Sequence, residues 1–181
     1  MIKSFKQMNE ANGGHLMVTD SLNLAFRYKH SKAVDFADDY MNTVKSLKKS
    51  YHCDKLIIAG DMGSSSYRKA IYSEYKQNRK DKYADQTESE KEEFEIFFGE
   101  VQQILERYDN EGDFPVLRFP GVEADDIAAY IVSKRKQFKL AQIWLVSSDK
   151  DWDLLISQGV SRFSYVTRKE ITYDNWPDHY D

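Results

Sequence analysis

The sequence contains little that would place the protein in a membrane or in an oxidising compartment. Its one cysteine, Cys53, excludes an internal disulfide and is typical of a reducing compartment. No run of about 18 apolar residues could span a membrane, and the polar start MIKSFKQMNE lacks the apolar segment of a signal peptide. These absences predict a soluble cytoplasmic domain without a membrane partner.

The sequence also lacks an overall positive charge. Its 26 Lys and Arg residues are outnumbered by 30 Asp and Glu residues, for a formal net charge of −4. A net-negative chain is a poor candidate for binding nucleic acid through bulk charge. Any such role must therefore depend on local separation of charge.

Apolar stretches alternate with amphipathic ones along the chain. They predict strands at residues 15–20, 54–61, 114–119, 141–149 and 159–166, with an edge strand at 168–174. Helices are expected at residues 33–51, about 88–108 and 151–157, with a turn at 109–113. A further helix is expected to follow GVEADD (121–126) and to end at about residue 138. This alternation indicates an α/β fold with a mostly parallel central sheet and helices on both faces.

No linker divides the chain, so we expect a single domain over residues 1–181. The sheet core is expected in residues 15–61 and 114–174. Residues 62–108 are interpreted as an insertion followed by a helix, and the polar residues 1–14 as a short tail or helix.

Acidic side chains follow four of the predicted strands. They are Asp20 and Asp61 after the first two strands, Glu123, Asp125 and Asp126 after the third, and Asp149 and Asp151 after the fourth. Because parallel strands bring their carboxyl ends to one edge of a sheet, we expect these seven carboxylates to converge. Like charges this close repel one another by several kcal/mol unless some carboxylates are protonated or cations bind.

Hard oxygen ligands without cysteine or clustered histidine favour Mg²⁺, with Mn²⁺ as the alternative ion, over zinc. Two such ions about 4 Å apart form an arrangement that hydrolyses phosphodiesters. Each acid alone has an ordinary structural explanation, since Asp is a common N-cap and Asp125 and Asp126 suit the first turn of a helix. Four acidic groups at four strand ends favour a metal site over capping.

Residues 62–87 form a basic, tyrosine-rich segment with almost no aliphatic side chains. Basic groups neutralise phosphates, and tyrosine rings stack on unpaired bases with roughly 1–3 kcal/mol each. The segment begins directly after Asp61, at the mouth of the expected site, and Arg68, Lys76 and Arg79 are its best candidates for phosphate contacts. A solvated surface loop is the alternative interpretation.

Five stretches, taken together, resemble the 5′-nuclease family: MVTDSLN, IAGDMG, YRKAIYSEYKQNRKDKY, GVEADDIAAYI and VSSDKDWDLL. That family includes flap endonucleases, phage 5′–3′ exonucleases and the 5′-nuclease domain of DNA polymerase I. The resemblance covers residues 16–181 and looks closest to phage-type members. Its most specific part is GVEADD followed about twenty residues later by SSDKDWD.

The resemblance implies a PIN-like 5′-nuclease core with an arch-like insertion and Mg²⁺-dependent, structure-selective hydrolysis of DNA. It assigns metal binding to the seven carboxylates and contact with the reacting phosphate to Lys76 and Arg79. We assign substrate binding to Arg68, Tyr75, Lys76, Arg79 and Lys80. The implied partner is DNA with a free 5′ end, a flap or a single-stranded arm, in the host cytoplasm if the protein is phage-encoded.

The sequence departs from the family at its end. Family members continue with a GD-x-x-DN-type motif and a helix–turn–helix element that grips duplex DNA, whereas this sequence ends at His179-Tyr180-Asp181. We therefore expect the duplex-binding region to be absent, and cleavage by this chain alone to be weak unless a partner chain supplies that region.

Three other functions compete with a nuclease of this kind. The first is a non-catalytic module that binds metal and single strands. The second is a PIN-type ribonuclease, which shares the core but usually lacks so long a basic insertion. The third is a phosphotransferase with Asp20 as nucleophile, which usually needs a second acid or a Thr close behind, where this sequence has Ser21-Leu22-Asn23.

Overall fold

The computed structural model describes residues 13–30, 35–111 and 114–180. Its centre is a six-stranded sheet with strands β1 (His15–Asp20), β2 (Lys55–Ala59), β3 (Val116–Leu117), β4 (Gln142–Val146), β5 (Val160–Ser164) and β6 (Lys169–Ile171). The strands lie in the order β3-β2-β1-β4-β5-β6; the first five pair in parallel and β6 pairs antiparallel with β5. The prediction of a mostly parallel central sheet is confirmed.

Strand β1 lies in the middle of the sheet, and its register decides where its last residue lies. Asp20 is aligned with Ala59 of β2, and the residue before Asp20 is aligned with Val146 of β4. Side chains of a strand alternate between the two faces, so Val18 belongs to the apolar cluster on one face and Met17 to the cluster on the other. The strand therefore carries Asp20 to the carboxyl edge, between the ends of β2 and β4.

Helices cover both faces of the sheet, as predicted. They are α1 (Ser21–His30), α2 (Ala37–Ser50), α3 (Ser66–Ile71), α4 (Gln77–Ala84), α5 (Glu88–Glu111) and α6 (Ala124–Ser133), with 3₁₀ helices at Lys150–Leu155 and Trp176–His179. Helices α1, α2 and α5 contribute to the apolar cluster on one face, and α6 and Trp152 contribute to the other. Within the described residues, no helix is both long enough and apolar enough to cross a membrane.

Some predicted boundaries are wrong. The sequence pattern does not predict α1, because this helix begins directly after Asp20 without turn residues to mark its start. Strands β2, β3 and β4 end before the polar residues that follow them, since these residues leave the sheet to form the site described below. Helix α5 continues to Glu111, so the turn predicted at 109–113 is wrong in its first three residues.

Other predictions hold in part or fall outside the described residues. The helix predicted at 151–157 is the 3₁₀ helix, and the edge strand predicted at 168–174 is the three-residue β6. Residues 1–12, 31–34, 112–113 and 181 lie outside the described part of the chain. The predicted tail or helix at 1–14 is therefore not described, apart from its last two residues.

The basic segment at 62–87 contains two short helices, α3 and α4. The beginning of this segment is hydrogen-bonded to Gly121, two residues before Glu123. Gly121 N donates to Met62 O at 2.8 Å, and the amide and hydroxyl of Ser66 donate to Gly121 O at 2.9 and 3.0 Å. Gly121 has a left-handed backbone there, with φ +71. These bonds fix the root of the insertion beside the acidic edge of the sheet.

We expect Gly121→Ala to lower the free energy of unfolding by about 1–3 kcal/mol, because the position combines a left-handed backbone with a close contact. A β-carbon at Gly121 would lie 1.9 Å from Ser66 Oγ. Gly63→Ala is the matched control, since Gly63 has φ +85 but no described atom within 4 Å of an added β-carbon. Urea denaturation measures both; equal losses would contradict the importance of the Ser66 contact.

Candidate metal centre and nucleic-acid interface

The carboxyl ends of β1, β2 and β4 border a cleft of about 580 Å³. Six of the carboxylates predicted as metal ligands line it: Asp20, Asp61, Glu123, Asp125, Asp149 and Asp151. The seventh, Asp126, has a carboxylate oxygen within 4.8 Å of oxygens of Glu123 and Asp125. The parallel sheet thus brings together the acids that the sequence analysis assigned to its carboxyl edge.

Asp20 is buried at the end of β1, with 8% of its surface exposed. Its carboxylate accepts hydrogen bonds from Asn23 N at 3.1 Å and from Ser147 Oγ at 2.9 Å. Burial raises the pKa of Asp20 to about 7, these hydrogen bonds lower it, and the charges of Asp61 and Asp149 raise it. The charged form of Asp20 is therefore poorly solvated in the cleft and lies near two further carboxylates, so a bound cation would stabilise it.

Two of the turns that carry the acids are also stabilised by capping. The carboxylate of Asp61 accepts from Ala124 N, in the first turn of α6, at 2.6 Å. Asp149 caps the 3₁₀ helix by accepting from Asp151 N at 3.0 Å. The structural explanation of these acids is therefore correct, but it does not exclude metal binding, because a carboxylate has about four lone-pair sites.

Basic residues of the insertion contact the acids at the start of α6. Arg68 Nη1 lies 2.6 Å from Glu123 Oε2 and 3.0 Å from Asp125 Oδ2, and Arg68 Nη2 lies 2.8 Å from Asp126 Oδ1. Lys76 Nζ lies 2.8 Å from Glu123 Oε1. One guanidinium and one ammonium group therefore balance part of the charge of three carboxylates.

Tyr75 completes this network around Glu123. Its hydroxyl donates to Glu123 Oε2 at 2.9 Å and accepts from Arg68 Nη1 at 2.9 Å. Burial by itself would raise the pKa of Glu123, but hydrogen bonds from Lys76, the Ser65 amide and Tyr75 outweigh burial and lower that pKa. Glu123 is therefore held as an anion at the centre of the network.

Three of the five residues assigned to substrate binding, Arg68, Tyr75 and Lys76, thus lie at the acidic cluster. Lys76 has a left-handed backbone, with φ +59, directly before α4, and it lines the cleft. The side chains of Arg79 and Lys80 lie outside the described part of the structure. Their assignment to the DNA stays a prediction.

A buried arginine holds the turn that carries Asp149 and Asp151. Arg162 of β5 donates from Nη1 to Ser147 O at 2.8 Å, at the start of the turn. It also forms an ion pair with Asp153, where Nη2 donates to Oδ2 at 2.7 Å and both side chains are almost fully buried. The guanidinium therefore joins both ends of the turn, and Asp153 is engaged by Arg162.

Sequence reasoning missed several residues that shape the site. Asn23 Oδ1 accepts from Ser148 N at 2.7 Å and so ties α1 to the turn after β4, whereas TD-x-x-N alone is a weak signal. Ser147 orients Asp20, and the only feature of the sequence that could have pointed to this role is its position at the end of a strand. Arg162 had a clearer signal, because a charged residue inside an apolar strand usually has a buried partner.

The cleft is also lined by apolar and aromatic side chains. They include Leu22, Phe26, Tyr83, Phe94 and Phe98. The sequence analysis placed Phe94 and Phe98 on the apolar face of a helix, and they are half-buried at that face beside the cleft. The cleft therefore offers both oxygen ligands and ring surfaces suited to unpaired bases.

The donor set fits a hard divalent cation. Glu123, Asp125 and Asp126 offer carboxylate oxygens within 4.8 Å of one another, and neither histidine nor cysteine is among the described residues that line the cleft. Carboxylates alone favour Mg²⁺ or Mn²⁺. The fit rests on this chemistry and on the poor solvation of the charged form of Asp20.

The chain is similar to known nucleases in sequence and in structure. The family model described as 5′–3′ exonuclease, N-terminal resolvase-like domain, matches residues 15–180. The flap endonuclease of Escherichia phage T5 is 42% identical over 172 residues, which cover 94% of this chain and 58% of the phage protein. The chain therefore spans a little over half the length of this curated relative.

Two solved structures of the T5 protein have the same fold. The 5′-exonuclease with bound divalent metal ions (zinc) superposes with a TM-score of 0.84 at 42% identity, covering 91% of this chain and 60% of that one. A flap endonuclease pseudo-enzyme–product complex with DNA and metal ions gives the same values. This likeness confirms the predicted PIN-like core.

We expect Arg162→Met to lower the free energy of unfolding by about 3–5 kcal/mol, because it leaves the buried Asp153 carboxylate without its cation. The double variant Arg162→Met, Asp153→Leu should recover most of this loss, since no buried charge is left unpaired. Urea denaturation of both variants measures the difference. A single variant as stable as the wild type would contradict the role of this ion pair.

Proposed function

Because the chain belongs to the family of 5′–3′ exonuclease N-terminal, resolvase-like domains, we propose that it is a metal-dependent 5′-nuclease domain that hydrolyses DNA phosphodiesters. The observation that carries the proposal is the convergence of seven carboxylates at one sheet edge, beside a basic insertion. The family match does not favour the PIN-type ribonuclease. The phosphotransferase is also less suited, because it has no use for the basic insertion.

We assign metal binding to the seven carboxylates, with Mg²⁺ as the ion and Mn²⁺ as its substitute. When bound, such ions supply Lewis acidity towards a phosphodiester and lower the pKa of an attacking water. The choice of Mg²⁺ is supported by a ligand set of carboxylates without histidine or cysteine among the described lining residues.

Lys76 and Arg79 are proposed to contact the reacting phosphate. Support for Lys76 comes from its ammonium group, which lines the cleft and lies 2.8 Å from Glu123. Its positive charge would offset the negative charge of the scissile phosphate, which must approach a wall of carboxylates. Arg79 follows three residues later, in the first turn of α4.

The proposed substrate is DNA with a free 5′ end, a flap or a single-stranded arm, met in the cytoplasm. The net-positive segment at 62–87 offers phosphate contacts, and the aromatic side chains of the cleft offer stacking surfaces. The T5 relative is longer than this chain. We propose that tight binding of duplex DNA requires a region that the T5 relative has beyond the part matched here. A partner chain or a further segment would supply that region in this protein.

A non-catalytic module that binds metal and single strands is the second candidate. It is favoured by the ion pairs that already engage Glu123, Asp125 and Asp126. Both candidates predict metal binding. They differ in whether a DNA strand is cut.

Cleavage of a labelled 5′-flap DNA in Mg²⁺ or Mn²⁺ tests the enzymatic function. We expect Asp149→Asn to slow metal-dependent cleavage at least about 100-fold, because it removes a charged ligand from the cluster. Asp178→Asn makes the same change at an exposed position of the second 3₁₀ helix and should leave the rate unchanged. Absence of metal-dependent cleavage by the wild type would reject the enzyme and leave the binding module.

Lys76→Ala should slow cleavage about 10–100-fold while weakening DNA affinity less than about threefold, since the lost charge acts mainly on the reacting phosphate. Single-turnover rates and fluorescence anisotropy measure the two effects separately. Lys69→Ala is the control, because Lys69 lies in α3 without a described ion pair to the cluster. Equal losses of rate and affinity would contradict the placement of Lys76 at the reacting phosphate.

A further inference from the structure

Arg68 and a divalent cation need the same oxygen atoms. The guanidinium contacts Glu123, Asp125 and Asp126 at 2.6, 3.0 and 2.8 Å. The same three residues form a group of carboxylates close enough together to hold a metal ion. A divalent ion binds such oxygens at about 2.0–2.6 Å, so it would lie in contact range of the guanidinium and be repelled by it.

We propose that Arg68 couples metal binding to DNA binding. Without metal, its guanidinium is the counter-ion of these carboxylates. A divalent ion displaces the guanidinium, which then contacts a DNA phosphate. The inference rests on the proposed function, because it takes these residues as part of the metal site. It assigns to Arg68 a role in two successive contacts, first with carboxylates and then with phosphate.

The helix that carries Arg68 is built so that it can separate from the site. Helix α3 has six residues and buries none of them. Tyr67 and Ile71 are 74% and 70% exposed, so little apolar surface opposes its movement. By contrast, its start is anchored: Ser65 N, directly before the helix, donates to Glu123 Oε1 at 3.1 Å, and Ser66, its first residue, is bound to Gly121. The ion pairs of Arg68 are therefore the main described contacts that hold α3 against the acids.

The exchange predicts that metal binding and DNA binding strengthen each other. A metal ion that occupies the carboxylates frees the guanidinium for phosphate, and a phosphate that occupies the guanidinium frees the carboxylates for metal. Each ligand thus removes the competitor of the other, and the effect is the same in both directions. Lys76 shares Glu123 with Arg68, but the test uses Arg68 because Lys76 is assigned to the reaction itself.

Calorimetric titration with Mn²⁺ tests the exchange without DNA or activity. Arg68→Gln should raise Mn²⁺ affinity about three- to tenfold, because a competing cation is removed. Lys69→Gln removes the same charge from the neighbouring position and should change the affinity less than about twofold, since Lys69 has no described ion pair with the three carboxylates. Thermal midpoints of all three proteins show that they are folded.

The outcomes separate the inference from the proposed function. A lower Mn²⁺ affinity in Arg68→Gln than in the wild type would show that Arg68 supports the cluster and would overturn the exchange. Equal gains in Arg68→Gln and Lys69→Gln would reduce the effect to overall charge and would also overturn it. No binding of Mn²⁺ by the wild type would instead reject the metal site, and with it both proposals.

Limited proteolysis with trypsin gives a second measure, of the movement of α3 itself. Saturating Mn²⁺ should speed cleavage after Lys69 in the wild type about three- to tenfold, because release of Arg68 opens the helix. In Arg68→Gln the cleavage should be fast with and without Mn²⁺. Cleavage outside residues 62–87 serves as the internal control, and a wild-type rate at Lys69 that Mn²⁺ does not change would overturn the exchange.

Discussion

Mutual repulsion among carboxylates is the constraint around which the site is arranged. A parallel sheet collects the ends of β1, β2 and β4 at one edge, and acids follow each of them. Burial is the main cause that raises the pKa of Asp20 to about 7, and the charges of Asp61 and Asp149 add to it. At Glu123, hydrogen bonds from Lys76, the Ser65 amide and Tyr75 lower the pKa instead. Arg68 and Lys76 thus offset charge at the start of α6, and a divalent ion would offset charge at the other carboxylates.

The basic insertion supplies the cations that the sheet itself lacks. Its root is held by backbone hydrogen bonds to Gly121, while α3 buries no residue and is held by the ion pairs of Arg68. An element with a fixed root and weak packing can exchange partners at low cost. The same physical arrangement that neutralises Glu123 can therefore present positive charge to DNA phosphates, which reconciles a basic insertion with a net-negative chain.

The turn after β4 follows the opposite principle. Arg162 and Asp153 form an almost fully buried ion pair, and Arg162 also binds Ser147 O. A buried ion pair is costly to break, so this turn has a support that the insertion lacks. Asp149 and Asp151 are held by this buried pair, while Glu123 and Asp125 contact a cation on a helix that buries no residue. The family match and the T5 structures share this core, over a little over half of the relative's length.

Local pattern was enough for the order of the strands and for the acidic edge, because parallel strands must bring their carboxyl ends together. It thereby identified Asp20, Asp61 and Asp149 as neighbours, but it did not predict α1, α3, α4 or the true ends of the strands. Only the tertiary structure decided which cations meet these acids. Arg68 contacts Glu123, which lies 55 residues later in the chain, and Arg162 of β5 contacts Asp153 of the first 3₁₀ helix. Such contacts depend on the register of strands and on side-chain conformation, which no short stretch of sequence encodes.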